Sequence, residues 1–108
     1  MNSLWMKCFA KMKPWMMGEP GIYERHTDPG HSWLAVKKSE LKHLGIADKI
    51  TNYSYEHGDN AYLEEDCDLT TFLEAKINRG EVVKFVEIFT NDDAPVRNYN
   101  HYTKGGQP

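Results

Sequence analysis

Residues 31–37 have an apolar run at positions 33–36 between polar residues, and in a strand these side chains would point alternately to two faces. Residues 22–26 also have β-type side chains, and Asp28-Pro29-Gly30 lies between the two segments. Proline fixes φ at the second position of such a turn, and glycine tolerates positive φ at the third. The pattern predicts a hairpin, or two strands joined by a tight corner. One face of the second strand would carry Trp33 and Ala35, and the other Leu34 and Val36.

Two segments have the periodicity and the end signals of helices. Ser39 is a suitable N-cap for a short helix over Glu40–Leu44, and Gly45 is a natural residue to end it. Asp68 is a suitable N-cap for a longer helix over Leu69–Arg79. The longer helix has apolar residues at helical spacing, which predicts that one stripe faces the core. The stripe consists of Leu69, Phe72, Leu73 and Ile77.

Three further segments have the composition of strands. Asn52–Glu56 and Ala61–Glu65 flank the turn-forming residues 57–60. Glu81–Thr90 has apolar residues on both faces, which is typical of a central strand buried on both sides. The resulting order, β-β-α-β-β-α-β, predicts a small single α+β domain. Its mixed, mostly antiparallel sheet would have about five strands, with two helices on one face.

The predicted domain covers residues 18–102 of the 108-residue chain, because a chain of this length has room for one core. Residues 103–108 form a flexible tail in this interpretation. Residues 1–17 contain three lysines and no acid, with large apolar side chains at helical spacing. Two interpretations of this segment stay open: a basic amphipathic segment that docks on a partner or a membrane surface, or a disordered extension.

Composition narrows the classes of function. A net charge of −3 and a pI near 5.9 argue against direct binding of nucleic acid, which needs a basic face. Charged residues make up 27% of the chain and its mean hydropathy is −0.69, so no membrane span is expected. The two cysteines, Cys8 and Cys67, suit a reducing cytoplasm. Acids flank Cys67 and disfavour its thiolate, so we expect a small buried residue and not a nucleophile.

Residues 50–75 contain seven carboxylates and no lysine or arginine, and four of these acids fall within residues 64–68. Like charges packed this closely repel one another, so a compensating benefit is expected. A basic protein partner, a divalent cation, an acid/base site and simple solubility all remain open. Tyrosine is favoured at protein contacts, and two tyrosines would share one strand face nearby. The predicted partner-binding residues are Tyr53, Tyr55, Glu64, Glu65 and Asp66.

The turn between the first two strands offers a second candidate chemistry. His26, Asp28 and His31 could hold a metal or form a His–Asp acid/base pair. An enzyme of this kind needs the turn to meet the acidic residues 64–66 in space. The alternative is that Asp28 caps the turn while both histidines flank it at the surface. We predict no cofactor, and the weak candidate ligands for a divalent metal are His26, His31 and Asp66.

A third class of function rests on the aromatic residues. A tryptophan and several tyrosines could stack a nucleotide-like small molecule if they lined a concave pocket. The sequence contains no Walker A, GxGxxG, GxSxG or HExxH motif, which removes the commonest enzyme classes. The aromatic set consists of Trp33, Tyr53, Tyr55, Tyr62, Tyr99 and Tyr102.

Four segments within residues 23–75 form a recognisable pattern: His26-x-Asp28-Pro29-Gly30-His31-x-Trp33-Leu34-x-Val36, Leu44–Ile50, Tyr53-Ser54-Tyr55 and Tyr62–Asp68. This pattern resembles a family of small uncharacterised proteins from phages and prophages. The resemblance implies an accessory gene of a mobile element whose product acts in the cytoplasm of a bacterial host cell. It carries no known activity and therefore assigns no functional residue.

The leading hypothesis is a non-enzymatic protein that binds a macromolecular partner through an acidic, tyrosine-bearing surface. A partner with a basic surface fits these charges, and inhibition of a bacterial defence system is one form that such binding takes. The alternatives are a small metal-dependent or His/Asp acid–base enzyme, and a binder of a nucleotide-like small molecule. The sequence assigns no oligomeric state.

Overall fold

The computed structural model describes residues 21–103, so the predictions for residues 1–17 and for the tail after Thr103 lie outside the described part of the chain. No helix within residues 21–103 is long and apolar enough to cross a membrane. The strands are β1 (Ile22–Thr27), β2 (Ser32–Lys37), β3 (Tyr55–His57), β4 (Asn60–Glu64), β5 (Lys84–Phe89) and β6 (Asn100–His101). The α-helices are α1 (Lys38–His43) and α2 (Asp68–Asn78), and two short 3-10 helices cover Ala47–Lys49 and Pro95–Asn98.

The strands form one six-stranded mixed sheet in the order β5-β1-β2-β4-β3-β6. Paired strands are antiparallel except for β1 and β5, which are parallel. The predicted hairpin around Asp28 is present, with His26 opposite Trp33. The α+β class and the mixed sheet are therefore confirmed. The extra strand, β6, comes from the polar segment after Thr90, where no strand was predicted.

The alternation predicted for β2 is confirmed, and it separates two apolar clusters. Leu34 and Val36 join a core that also contains Leu41 from α1 and Phe72 from α2, so both helices cover this side of the sheet. Trp33 points to the opposite side, where it joins a smaller cluster. We name the two sides the helix face and the second face. The smaller cluster also contains Tyr62, Ala94 and Val96.

The strand β5 lies at one edge of the sheet, so the prediction that it is central and buried on both faces is wrong. All six of its residues are exposed. Only β1 pairs with β5 within residues 21–103. Apolar periodicity shows that a strand has two apolar faces, but distant parts of the chain decide whether anything covers them.

Both predicted helix N-caps are also wrong. The helix α1 begins at Lys38, one residue before Ser39, and its N-cap Lys37 makes no side-chain capping bond. Asp68 is the first residue of α2 and is 1% exposed. Its carboxylate accepts hydrogen bonds from the loop residues 51–54 and therefore anchors that loop. A local capping signal was thus overridden by a tertiary contact.

Lys76, and not Ile77, lies on the buried side of α2. Ile77 is 67% exposed, whereas Lys76 Nζ lies 2.8 Å from Glu40 and 2.6 Å from Glu81. Tyr23 donates a hydrogen bond to Glu40 at 2.8 Å. Burial opposes the positive charge, but the hydrogen bonds to both carboxylates raise the pKa of Lys76 above its ordinary value. This ion-pair cluster joins α2 to α1 and to the segment that leads into β5.

Candidate functional site

The turn between β1 and β2 is held by an ion pair between the buried Asp28 and the partly exposed Arg97. Asp28 is 4% exposed, and its carboxylate accepts hydrogen bonds from the backbone N–H groups of Gly30 and His31. Arg97 donates to both carboxylate oxygens, at 2.6 and 2.9 Å. The bonds from Arg97, helped by those from the backbone, hold the pKa of Asp28 well below its ordinary value. Asp28 therefore has little capacity to accept a proton near neutral pH, and its clearest role is to fix the turn.

The two histidines of the turn have different surroundings. His26 Nε2 lies 3.1 Å from Glu24 on the same strand, and its ring packs edge-on against Tyr62. His31 lies just before β2, where its Nδ1 is 4.0 Å from a carboxylate oxygen of Glu64. The turn and the acidic residues 64–66 therefore meet through His31.

The acids of residues 64–66 also differ from one another. One oxygen of Glu64 accepts the backbone N–H groups of Asp66 and Cys67, both at 3.0 Å, and so organises the chain that leads into α2. Glu65 accepts a hydrogen bond from the Ser32 hydroxyl. Asp66 is exposed. The ligand atoms of His31, Glu64 and Asp66 all lie within 4.8 Å of one another, and we name these three residues the His31 cluster.

The predicted partner-binding surface is only partly free of internal contacts. Tyr53 is 66% exposed, whereas Tyr55 is half-buried and stacks on His101 with the ring centroids 4.8 Å apart. Ser54 between them is buried and accepts the backbone N–H of Glu64. Two of the five predicted residues, Tyr53 and Asp66, are thus exposed, while the others have side-chain partners within the protein.

Cys67 is exposed, which corrects the prediction of a buried residue. Desolvation, together with the nearby carboxylates of Glu64, Asp68 and Asp66, raises the pKa of its thiol. The thiolate is the reactive form of cysteine. Cys67 is therefore a poor nucleophile despite its exposure, as the surrounding charges predict.

Stacked rings attach the C-terminal segment of the described chain to the second face. His57 stacks on Tyr99 with the ring centroids 4.3 Å apart. Arg97 lies over the Trp33 ring at 5.1 Å, and Tyr55 meets the same ring edge-on. Trp33, Tyr55, Tyr62 and Tyr99 therefore lie in one packed group on the second face, and this packing accounts for their clustering without a ligand. Tyr53 is exposed, and Tyr102 belongs to the core on the helix face.

The open edge of β5 is the feature that the sequence analysis missed. The Lys84 N–H donates to the Gly21 carbonyl at 2.5 Å, and the Thr90 N–H donates to the Thr27 carbonyl at 2.9 Å. In a parallel ladder, alternate residues bond to the same neighbour. The even-numbered residues of β5 therefore bond to β1. The backbone N–H and C=O groups of Phe85, Glu87 and Phe89 point away from it, toward the open edge.

The side chains of β5 are apolar on both faces of the sheet. Phe85 lies opposite Tyr23 and so belongs to the helix face, while Val86, opposite Glu24, belongs to the second face. The exposed fraction is 62% for Phe89. The other large apolar side chains exposed here are Phe85, Val86 and Ile88 of β5, Val82 just before β5, and Ile22 of the neighbouring strand β1. Exposed apolar side chains on both faces of an unpaired edge strand are typical of a contact site.

A backbone detail fixes where β5 lies. Gly21 has φ of +80°, and a Cβ atom at this position would be 2.5 Å from the carbonyl oxygen of Val82. Glycine is the residue that tolerates both the positive φ and the close approach. The chain therefore enters β1 directly beside the start of β5, which sets the parallel register of the two strands.

The chain matches no protein-family model, no curated protein and no solved structure.

Proposed function

We propose that this protein acts by binding a macromolecular partner, and that the partner adds an extended segment to the open edge of β5. The observation that carries the proposal is the edge itself, with outward-facing backbone groups flanked by apolar side chains on both faces. A partner segment can pair with such backbone groups while its side chains pack on the two faces. Natural proteins normally cover or interrupt an edge of this kind, because a bare edge promotes uncontrolled association.

The charges of β5 favour a protein partner over a nucleic acid. Lys84 and Glu87 are the charged residues of the strand, and they cancel in net charge. Glu87 also lies 3.3 Å from Arg25 and accepts a hydrogen bond from Thr27. Nucleic acids require a basic face, which this edge does not provide. We therefore assign the partner as a protein segment with apolar side chains at alternate positions.

The acidic, tyrosine-bearing surface is a second place of contact in this proposal, and it has weaker support. Tyr53 and Asp66 are exposed there, but Glu64 and Glu65 are held by hydrogen bonds within the protein. A basic partner would meet fewer unengaged carboxylates than the sequence indicates. Contact at this surface should be sensitive to salt, whereas apolar contact at β5 should persist.

The resemblance to small phage and prophage proteins supports a bacterial host cell as the setting. In that setting we interpret the protein as an accessory protein of a mobile element. Inhibition of a host defence protein is the form of partner binding that this setting favours. The assignment of β5 as the contact edge rests on its own geometry and does not depend on the setting.

The test is a matched pair of variants at the centre of the edge. Glu87→Pro removes a backbone N–H that points away from β1, so it blocks an added strand while leaving the bonds to β1 in place. Glu87→Ala loses the same side-chain contacts but keeps the N–H, and it is therefore the control. Tagged full-length proteins are incubated with bacterial lysate at low and high salt, and bound proteins are identified by mass spectrometry. Thermal unfolding checks that each variant folds.

We expect the wild-type protein and Glu87→Ala to retain the same partner at both salt concentrations, and Glu87→Pro to lose it. Equal retention by Glu87→Pro, or no retained protein at all, contradicts the proposal. Loss at high salt together with loss in Asp66→Asn assigns the contact to the acidic surface instead.

Other occupants of the edge give different results in the same set of proteins together with a variant that lacks residues 1–17. A wild-type dimer in sedimentation velocity that dissociates in Glu87→Pro means that a second copy occupies β5. Capture that requires deletion of residues 1–17 means that the chain's own N-terminal segment competes for the edge. Either result overturns the assignment of a separate protein as the native occupant.

A further inference from the structure

We propose that the His31 cluster binds a divalent transition metal ion such as Zn²⁺, independently of partner contact at β5. The ligand atoms of His31, Glu64 and Asp66 lie within 4.8 Å of one another. One imidazole nitrogen with two carboxylate oxygens is a donor set that suits Zn²⁺. Mg²⁺ and Ca²⁺ prefer oxygen ligands alone, so the histidine selects against them.

Glu64 is the preorganised ligand of this cluster. It is the last residue of β4 and lies opposite Trp33 in the ladder with β2. Two backbone N–H groups hold one of its oxygens at 3.0 Å, and its other oxygen lies 4.0 Å from His31 Nδ1. The Glu64 side chain is only 13% exposed. A carboxylate fixed in this way loses little conformational freedom when it binds an ion.

The distances require only a small closure of the cluster. Ligand atoms about 2.1 Å from a tetrahedral Zn²⁺ are roughly 3.4 Å apart, so separations of up to 4.8 Å must shorten by up to about 1.4 Å. His31 is 46% exposed and Asp66 is also exposed, so both side chains have room to rotate toward Glu64. Three protein ligands leave a coordination position for water or for a group of another molecule.

Trp33 supplies a second observation beside the cluster. Its ring centroid lies 6.1 Å from that of His31, and the residue is 3% exposed. Its Nε1–H has no hydrogen-bond acceptor within residues 21–103. A buried donor without an acceptor is uncommon in proteins, and a water or an ion beside it is one way in which such a donor is satisfied. A water or anion at the open position of the metal would bring an acceptor to this region.

Calorimetric titration of the full-length protein with Zn²⁺ tests the proposal. We expect one Zn²⁺ per chain, and we expect His31→Ala and Asp66→Asn each to weaken binding by at least about 10-fold. His57→Gln and Asp59→Asn are the matched controls, because they change an exposed histidine and an exposed acid in the β3–β4 hairpin. Both controls should bind Zn²⁺ as the wild-type protein does. Zn²⁺ should also raise the melting temperature of the wild-type protein but not that of His31→Ala.

Histidine-selective NMR gives a second readout, in which the imidazole of His31 should shift before the other imidazoles. Equal affinity in all five proteins means adventitious surface binding and overturns the proposal. The same holds if the wild-type protein binds no Zn²⁺, or if the control substitutions weaken binding as much as the cluster substitutions. Failure of the β5 variants in partner capture leaves this titration unaffected, so the two proposals stand or fall separately.

Discussion

The strands β2 and β5 are both six residues long and contain four apolar residues each, but their burial is opposite. Four residues of β2 are buried, whereas all six residues of β5 are exposed. β2 lies between β1 and β4, and apolar clusters cover both of its faces. β5 pairs only with β1 within residues 21–103. The place of a strand in the sheet, and not its composition, therefore decides whether its side chains stabilise the core.

The positions of the charged residues in the two strands agree with their different places in the sheet. The charge of β2 is at its end, at Lys37, whereas Glu87 lies in the middle of β5. A charge in mid-strand is tolerated at an edge, where it reaches solvent or a neighbour such as Arg25. In β2 the same charge would be buried without water. Surface that contributes little to folding remains available for contact, which is the basis of the proposed role of β5.

The largest expected difference comes from truncating one phenyl ring in each environment. Phe72 is 0% exposed and packs edge-on against Tyr23, with the ring centroids 5.2 Å apart, so Phe72→Ala should destabilise the protein by roughly 3–5 kcal/mol. Phe89→Ala at the open edge should change stability by less than about 1 kcal/mol. Chemical denaturation of both variants measures the difference. A loss of several kcal/mol for Phe89→Ala would show that β5 is covered in solution.

A second comparison uses two lysines. Lys76→Ala leaves Glu40 buried without its charged partner, although the hydrogen bond from Tyr23 remains. Breaking a buried ion pair costs about 3–5 kcal/mol, and we expect roughly 3 kcal/mol here because Tyr23 still binds Glu40 and Glu81 is partly exposed. Lys84→Ala in β5 should change stability by less than about 0.5 kcal/mol. The measurement is again chemical denaturation at neutral pH. Similar losses in the two variants would mean that the buried ion pairs contribute no more than a surface charge.

The fold class was predictable because its signals are local. Alternation over residues 31–37 assigned both faces of β2 correctly, and the turn residues around Asp28 placed the first hairpin. The edge position of β5 was not predictable in this way, because it depends on parallel pairing with β1 across some 60 residues of sequence. Ser39 and Asp68 failed as capping signals for a related reason, since tertiary packing moved one helix start and gave Asp68 other partners.

The candidate site was predictable only as a set of residue types. The sequence names His31 and the acids as candidate ligands, but their mutual distances depend on the β2–β4 ladder. No local signal indicates Arg97 as the partner of Asp28, because the two residues are 69 positions apart. The same applies to Lys76 and Glu40, which are 36 positions apart. The fold decides which charged residues become neighbours, and a local sequence pattern contains no information about such distant pairs.

A smaller effect on stability, which appears mainly at low pH, distinguishes two aspartates that lie near Arg97. Asp28 is buried in the turn, whereas Asp93, after β5, is 90% exposed and 3.9 Å from Arg97. The ordinary pKa of Asp28 is 3.8, and the folded protein lowers it, so the unfolded chain binds the proton more readily. The stability that Asp28 contributes is therefore present above pH 4 and is lost as the pH falls below that value.

Thermal unfolding between neutral pH and about pH 2 measures this effect in three proteins. The stability difference between the wild-type protein and Asp28→Asn should shrink below pH 4, because protonation removes what the substitution has already removed. The curve for Asp93→Asn should run parallel to that of the wild-type protein. A difference between wild type and Asp28→Asn that stays constant to the lowest pH would contradict the proposed role of the ion pair.

The smallest expected difference is the most direct test of whether β5 is bare. Val36 is 1% exposed in β2 and Val86 is 47% exposed in β5, and replacing either by threonine keeps the side-chain shape while adding a hydroxyl. Val36→Thr buries that hydroxyl and should cost about 1–3 kcal/mol, whereas Val86→Thr should stay within about 0.5 kcal/mol. Chemical denaturation of the full-length variants measures both values. If Val86→Thr is as costly as Val36→Thr, water does not reach β5 in the isolated protein, and the edge is not free to accept a partner strand.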